Sequence, residues 1–304
     1  MAKVAFFGAG IMGEPMAGHL LAAGHQVAVM AHRNRGPIDR LMAKGATEAK
    51  NPAEAARRTD VAITIVPTAR EVEEIIFGNN GLSEGMAPNY TIIDMSTSYP
   101  PDTRRIAERV IAKGGRFLDA PVTGGPSGAR NKTLTIMAGG EASTLDAMRP
   151  VLEAMGEHIH HFGAVGAGHT AKVIQNMIGT IASAGIAEGF VLAKAAGLDV
   201  EQFFKMLTTS TANSPALQHN VPKIFAREFD KVGFRLDLAY KDIRQATALA
   251  RELTVPLPTA NGATELMQLA RATGFGQLDQ TAVIRGLETI LGIEVRPGAS
   301  GRIR

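Results

Sequence analysis

Through about residue 163 short apolar runs alternate with segments whose apolar residues recur every three or four positions. Lys3–Phe7, Gln26–Met30, Val61–Val66, Thr91–Asp94, Arg116–Asp119 and Thr133–Ala138 are rich in Val, Ile and Phe and predict strands. Met12–Ala23, Ile38–Lys44, Pro52–Arg58, Arg70–Phe77, Thr103–Lys113 and Ala142–Glu153 predict helices. Asn51-Pro52-Ala53-Glu54 reads as a helix start, with a capping residue, proline at the first helical position and an acid closing the box. Strand–helix alternation predicts a parallel sheet covered on both faces. From Gly168 onward the pattern is helical only: Gly168–Ala196, Val200–Thr208, Pro215–Phe225, Leu236–Leu253, Leu257–Arg271 and Gln280–Leu291. The expected architecture is α/β, an N-terminal doubly wound parallel sheet over 1–163 followed by an all-helical C-terminal domain over 164–304.

Composition narrows the chemistry. The 304 residues include no Cys and no Trp, so disulfides, thiolate metal sites and a cysteine nucleophile are excluded. The formal charge of +3 is small and scattered, which gives no footprint for nucleic acid. The N-terminus runs straight into a strand with no secretory signal pattern, and an intracellular, cytoplasmic protein is expected. Met177–Ala196 is the most apolar helix; with Glu188, Lys194 and many Gly and Ala residues it reads as a buried helix rather than a membrane span. Its small residues Gly179, Ser183 and Ala187 share one face, open to close approach by another backbone. A helix this apolar around its circumference predicts at least a dimer, a homodimer or homotetramer. His158, His160 and His161 have no acid or thiol at ligand spacing, so no metal is expected.

Gly8-Ala9-Gly10-Ile11-Met12-Gly13 is G-x-G-x-x-G directly after a strand and at a helix start. In that context Gly8 makes the tight turn and Gly10 lets a pyrophosphate approach the backbone. Gly13 allows close helix–strand packing, and the helix N-terminus offers N–H groups and a positive dipole end. A nicotinamide dinucleotide is expected there. Between Val29 and Pro37 there is no acid to bind a ribose diol, whereas His32, Arg33 and Arg35 could hold a 2′-phosphate. This favours NADP, with NAD possible; the alternative is a solvated basic loop.

Four motifs then carry a family resemblance: Phe7–Ala17, Asp119-Ala120-Pro121-Val122-Thr123-Gly124-Gly125, Gly166-Ala167-Gly168-His169-Thr170-Ala171-Lys172-Val173-Ile174-Gln175-Asn176, and Lys241-Asp242 after Gly233-Phe234. In this order they resemble the β-hydroxyacid dehydrogenase family, of the 3-hydroxyisobutyrate dehydrogenase and tartronate semialdehyde reductase type. Thr123 stands where the family usually has Ser. The resemblance implies a Rossmann-type first domain and hydride transfer between NADP(H) and a short β-hydroxy acid and its semialdehyde. It further implies that Thr97 and the backbone at Val66-Pro67 touch the nicotinamide half, that Lys241 approaches from the helical domain, and that the helical halves pair.

The residues support this reading independently. Lys172 and Asn176 are four apart and share a helix face. A lysine on an apolar helix is costly to bury unless something uses it; near a carbonyl its ammonium can donate a proton as hydride arrives, and its amine can take the alcohol proton in reverse. Asn176 can orient either the substrate oxygen or Lys172. Thr123-Gly124-Gly125 offers a hydroxyl and two backbone N–H groups that suit a substrate carboxylate, or is an ordinary Gly-Gly turn. The partner is a small carboxylate-bearing hydroxy acid or aldehyde. Competing readings are an imine reductase of the same architecture, which the presence of Lys172 disfavours, and a non-catalytic NADP-binding sensor.

Overall fold

The structure, a computed structural model, describes residues 1–32 and 34–298. It comprises two compact units, Met1–Lys172 and Val173–Arg304.

In the first unit, β1 (Lys3–Phe7), β2 (Gln26–Val29), β3 (Thr47–Glu48), β4 (Val61–Thr64), β5 (Thr91–Asp94) and β6 (Arg116–Asp119) form a parallel sheet of order β3-β2-β1-β4-β5-β6. Helices α1 (Gly13–Ala22), α2 (Gly36–Met42), α3 (Pro52–Arg58), α4 (Ala69–Phe77) and α5 (Pro100–Ala112) connect them. Side chains alternate across the pleat. Val4 and Phe6 pack into a core with Met16 and Leu20 of α1 and Ile38 and Leu41 of α2. Ala5 and Phe7 pack on the other face with Ala55 of α3, Val72 and Ile76 of α4 and Ile106 and Val110 of α5. Strand order reverses between β1 and β4, whose ends are in register at Phe7 and Thr64. That reversal opens a crevice at the carboxyl ends of the strands, the place where doubly wound sheets bind ligands. This is a Rossmann-type domain.

Beyond β6 the expected single sheet does not continue. β7 (Val122–Thr123), β8 (Leu134–Ala138) and β9 (Gly156–His161) make a separate three-stranded sheet, with β7 antiparallel and β9 parallel to β8. Only Ala120 and Pro121 separate β6 from β7, too few for a parallel crossover. α6 (Gly125–Asn131) connects β7 to β8, and α7 (Ala142–Glu153) connects β8 to β9.

α8 (Ala167–Ala195) begins in the first unit and continues into the second. The second unit adds α9 (Val200–Thr208), α10 (Pro215–Ala226), α11 (Leu236–Glu252), α12 (Pro258–Ala272) and α13 (Val283–Leu291), the last preceded by a 3-10 turn at Gln280–Ala282. No strand occurs there among the described residues. Its core is built from Phe190, Leu217, Val221, Ile224, Leu236, Ile243, Met267 and Ile284. Of the small residues on one face of α8, Ser183 meets α10: it is buried and its hydroxyl accepts from the Asn220 amide at 3.0 Å. α8 is long and apolar enough to cross a membrane on length and composition, yet only 39% of its most apolar window is buried. Contrary to the expectation of a buried helix, Ile174, Ile178 and Leu192 are exposed along it, the last two at 60% and 70%.

Candidate active site

The loop after β1 enters the crevice. Gly8 has φ +106° and a Cβ there would collide with the Ile65 carbonyl just beyond β4. A Cβ at Gly13 would collide with the Gly8 carbonyl, so the first turn of α1 lies directly against the loop. Gly10, in contrast, has open space where a side chain would be, and Ile11 is exposed. Ala9 and Met12 pack against the core below. A backbone turn closed underneath and open above, at the N-terminus of α1, fits a dinucleotide pyrophosphate. Glu14, in the first turn, is gripped by Arg40 of α2 at 2.6 and 2.7 Å, and that hydrogen bond holds its carboxyl below the usual range.

At the end of β2 the structure adds partners that the sequence reading did not include. His32 is exposed, and Arg33 lies outside the described residues. Arg35, expected to be available to a 2′-phosphate, donates through both terminal nitrogens to Glu48 at 2.9 Å each, and its Nε lies 3.1 Å from Asp39. No acid stands between Val29 and Pro37 in sequence, but β3 brings Glu48 into register with Val29. The carboxylate of Glu48 thus stands beside the end of β2.

Three strand ends are tied together by buried polar groups. Asp94, ending β5, accepts from the Thr64 hydroxyl (2.9 Å), the Ser96 amide (3.0 Å) and the Ser98 hydroxyl (3.1 Å). The Ser96 hydroxyl accepts from the Val66 amide at 3.0 Å, which joins the Val66-Pro67 segment to the half-buried Thr97 segment. Asp119, ending β6, accepts from the backbone N–H groups of Gly166 and His169, both at 2.7 Å. Its carboxylate thus caps α8, where a negative charge is favoured. A Cβ at Gly168 would collide with the Met137 carbonyl and sit 2.7 Å from that of Asp119, so only glycine lets α8 start this close to β6 and β8. His169 is fully buried, with Nε2 3.0 Å from the Ser96 carbonyl and Nδ1 2.8 Å from the Thr103 hydroxyl. A carbonyl only accepts, so Nε2 carries a proton.

Lys172 follows one turn later, buried at 8% exposure. Asn176, a further turn along α8, donates from its amide nitrogen to Asp242 at 2.6 Å. The Lys241-Asp242 pair is no solvated surface pair: Asp242 is buried, and Lys241 Nζ lies 3.1 Å from its second oxygen. Thr123 ends β7, and Gly124 and Gly125, both at positive φ, lead into α6. Open space above Gly125 leaves that turn accessible. His161 is taken up by the carbonyls of Gly140 and Gly163, at 2.8 and 3.0 Å.

Residues 3–163 match the family model of the NAD-binding domain of 6-phosphogluconate dehydrogenase, and residues 166–287 that of the NAD-binding region of NADP-dependent 3-hydroxyisobutyrate dehydrogenase. The 2-hydroxy-3-oxopropionate reductase of Escherichia coli is 36% identical over 287 residues, 94% of this chain and 97% of that protein. This chain belongs to the β-hydroxyacid dehydrogenase family. The 3-hydroxyisobutyrate dehydrogenase of Pseudomonas aeruginosa is likewise 36% identical, over 88% of this chain and 92% of its own. A solved structure of the Mycobacterium tuberculosis 3-hydroxyisobutyrate dehydrogenase superposes with a TM-score of 0.84 at 35% identity, covering 94% of this chain and 99% of that one. As a β-hydroxyacid dehydrogenase the chain is an oxidoreductase that uses a nicotinamide dinucleotide, NADP with NAD possible.

Within the first unit of this β-hydroxyacid dehydrogenase, hydrogen bonds tie together the Val66-Pro67 and Thr97 segments and the helix start that carries Lys172. Asn176 and Lys241 converge on Asp242 in the second unit. Sequence reasoning missed Glu48, Asp94, Asp119 and His169 as parts of the site. An acid ending an otherwise apolar strand, as at Thr91–Asp94 and Arg116–Asp119, was the available signal.

Proposed function

We propose that this chain is an NADP-preferring dehydrogenase that interconverts a short β-hydroxy acid and its semialdehyde, with Lys172 as general acid and base. The observation that carries the proposal is a buried lysine on a helix whose start is pinned by Asp119 and His169 to the strand ends. The names of the two curated relatives above share a short acid bearing oxygen at carbon 3, which sets the substrate class. When bound, the dinucleotide takes or supplies the hydride. Lys172 Nζ accepts the proton of the C3 hydroxyl as that carbon is oxidised, and returns it to the carbonyl oxygen in reduction. The Thr123 hydroxyl and the turn at Gly124-Gly125 hold the substrate carboxylate. Asp242 fixes the amide of Asn176, so that Asn176 orients the reacting oxygen in one rotamer. Lys241 contributes to holding the dinucleotide, and Gly8–Gly13 hold the pyrophosphate. His32, Arg33 and Arg35 are the residues that the sequence offers to the 2′-phosphate. A panel of semialdehydes and hydroxy acids assayed with NADPH and NADH tests the reading; no turnover with any three- or four-carbon member would refute it.

We further infer a cytoplasmic homo-oligomer in which the exposed apolar row of α8 at Ile174, Ile178 and Leu192 is covered by a second copy. A row of large apolar side chains left in water on one helix marks an association surface. Light scattering at micromolar concentration is expected to give at least the dimer mass, and Ile178→Glu is expected to shift it toward monomer. A monomeric wild type contradicts the inference.

A further inference from the structure

The dinucleotide end of this chain carries a feature that the loop sequence does not reveal. Glu48 is the last residue of β3, level with Val29 at the end of β2, and the Ala49 amide donates to the Val29 carbonyl at 2.9 Å. In doubly wound dinucleotide sites the end of the second strand is where the adenosine ribose is read. A carboxylate there accepts from the two hydroxyls of an unphosphorylated ribose and repels a 2′-phosphate, whereas a guanidinium does the reverse. Here both groups are present and engaged with each other. The Arg35 fork spans both Glu48 oxygens at 2.9 Å, with Asp39 3.1 Å from its Nε. The hydrogen bond from Arg35 lowers the carboxyl pKa of Glu48, so the pair stays ionised at neutral pH.

We propose that Glu48 is a specificity-determining residue that restrains the preference for NADP over NAD by holding Arg35 away from the 2′-phosphate. A phosphate entering this end must draw Arg35 off a bidentate carboxylate and lie beside the charge left behind. A ribose diol meets no such competition. The restraint is modest, because the pair is wet: the Arg35 side chain is 57% exposed and that of Glu48 28%. Screening by water keeps such contacts weak. The inference rests on the dinucleotide reading of the loop above, and concerns selectivity rather than the chemical step.

The test is a binding titration, independent of turnover. NADPH and NADH dissociation constants are measured by nicotinamide fluorescence for the wild type, Glu48→Gln, Arg35→Gln and the double variant. Glu48→Gln is expected to raise the NADPH-over-NADH preference by roughly two- to fivefold, the size of one screened charge contact. That gain should disappear when Arg35 is also Gln, and shrink as salt is raised. An unchanged ratio in Glu48→Gln overturns the proposal, as does a gain that survives without Arg35. A wild type that binds neither dinucleotide overturns the reading of the loop and this inference together. A wild type that binds both, with a ratio insensitive to Glu48, overturns this inference alone. Unchanged thermal unfolding of the variants, expected for an exposed pair, shows that any shift comes from the cofactor end.

Discussion

Lys172→Ala is expected to lower the rate of the chemical step by about 10²–10⁴-fold, the usual contribution of a positioned general acid or base. The side chain is buried on α8, and the start of that helix is fixed by Asp119, Gly168 and His169 rather than by Lys172 itself. The variant should therefore fold and keep its helix, since alanine is the best helix former. Its NADPH dissociation constant should stay near that of the wild type, because the phosphate loop is built by Gly8, Gly13 and Ile65. A collapsed rate with intact binding is the signature of an interaction made in the transition state. Single-turnover NADPH oxidation with a good aldehyde substrate reads the rate, and fluorescence titration reads the binding. A folded variant that turns over at the wild-type rate removes Lys172 from the mechanism and makes Lys241 the next candidate.

Gly8→Ala is expected to fail in the opposite sense, losing the cofactor before any chemistry is reached. Its φ of +106° is one that a side-chain-bearing residue rarely adopts, and the added methyl would strike the Ile65 carbonyl. The loop must move, and strain together with overpacking costs roughly 1–3 kcal/mol each. Because Gly10 donates to the Gly8 carbonyl at 2.8 Å, the displacement passes directly to the residue proposed to face the pyrophosphate. Thermal unfolding should show a lower midpoint, and titration should show NADPH binding largely lost. A variant with wild-type affinity would show that the backbone at Gly8 does not shape the phosphate site.

The two variants probe the parts of the molecule that local sequence described well. β1, β5 and β6 begin and end where their apolar runs do, since each is a short strand buried on both faces. α3 and α9 match because Asn51 and Asp199 are true capping residues, accepting from Glu54 and from Glu201 and Gln202. What was not legible depended on partners distant in the chain. β9 reads Gly-Glu-His-Ile-His-His, with most side chains exposed, and offers no apolar alternation; it is a strand because β8 lies beside it. α5 begins at Pro100, before the expected Thr103, because two prolines that resemble a loop are tolerated in a first helical turn. The acid beside Arg35 is invisible to local sequence because Glu48 is thirteen positions away and reaches it only through the β2–β3 pairing. His169 sits inside a motif recognised for other residues, and its partners Thr103 and Ser96 are 66 and 73 positions away.

The Asp119 cap also limits where this polypeptide can be cut or spliced. Motif boundaries invite a junction near residue 163, between the last strand of the small sheet and the long helix. A fragment ending there would discard the Gly166 and His169 amides and strip the Asp119 carboxylate of two hydrogen-bond donors. Hydrogen bonds to a charged group are each worth about 1.5–3 kcal/mol, so the loss of two is substantial. Chimaeras that exchange helical halves between relatives should therefore take their junction after the second turn of α8, so that each sheet keeps the helix start grown against it.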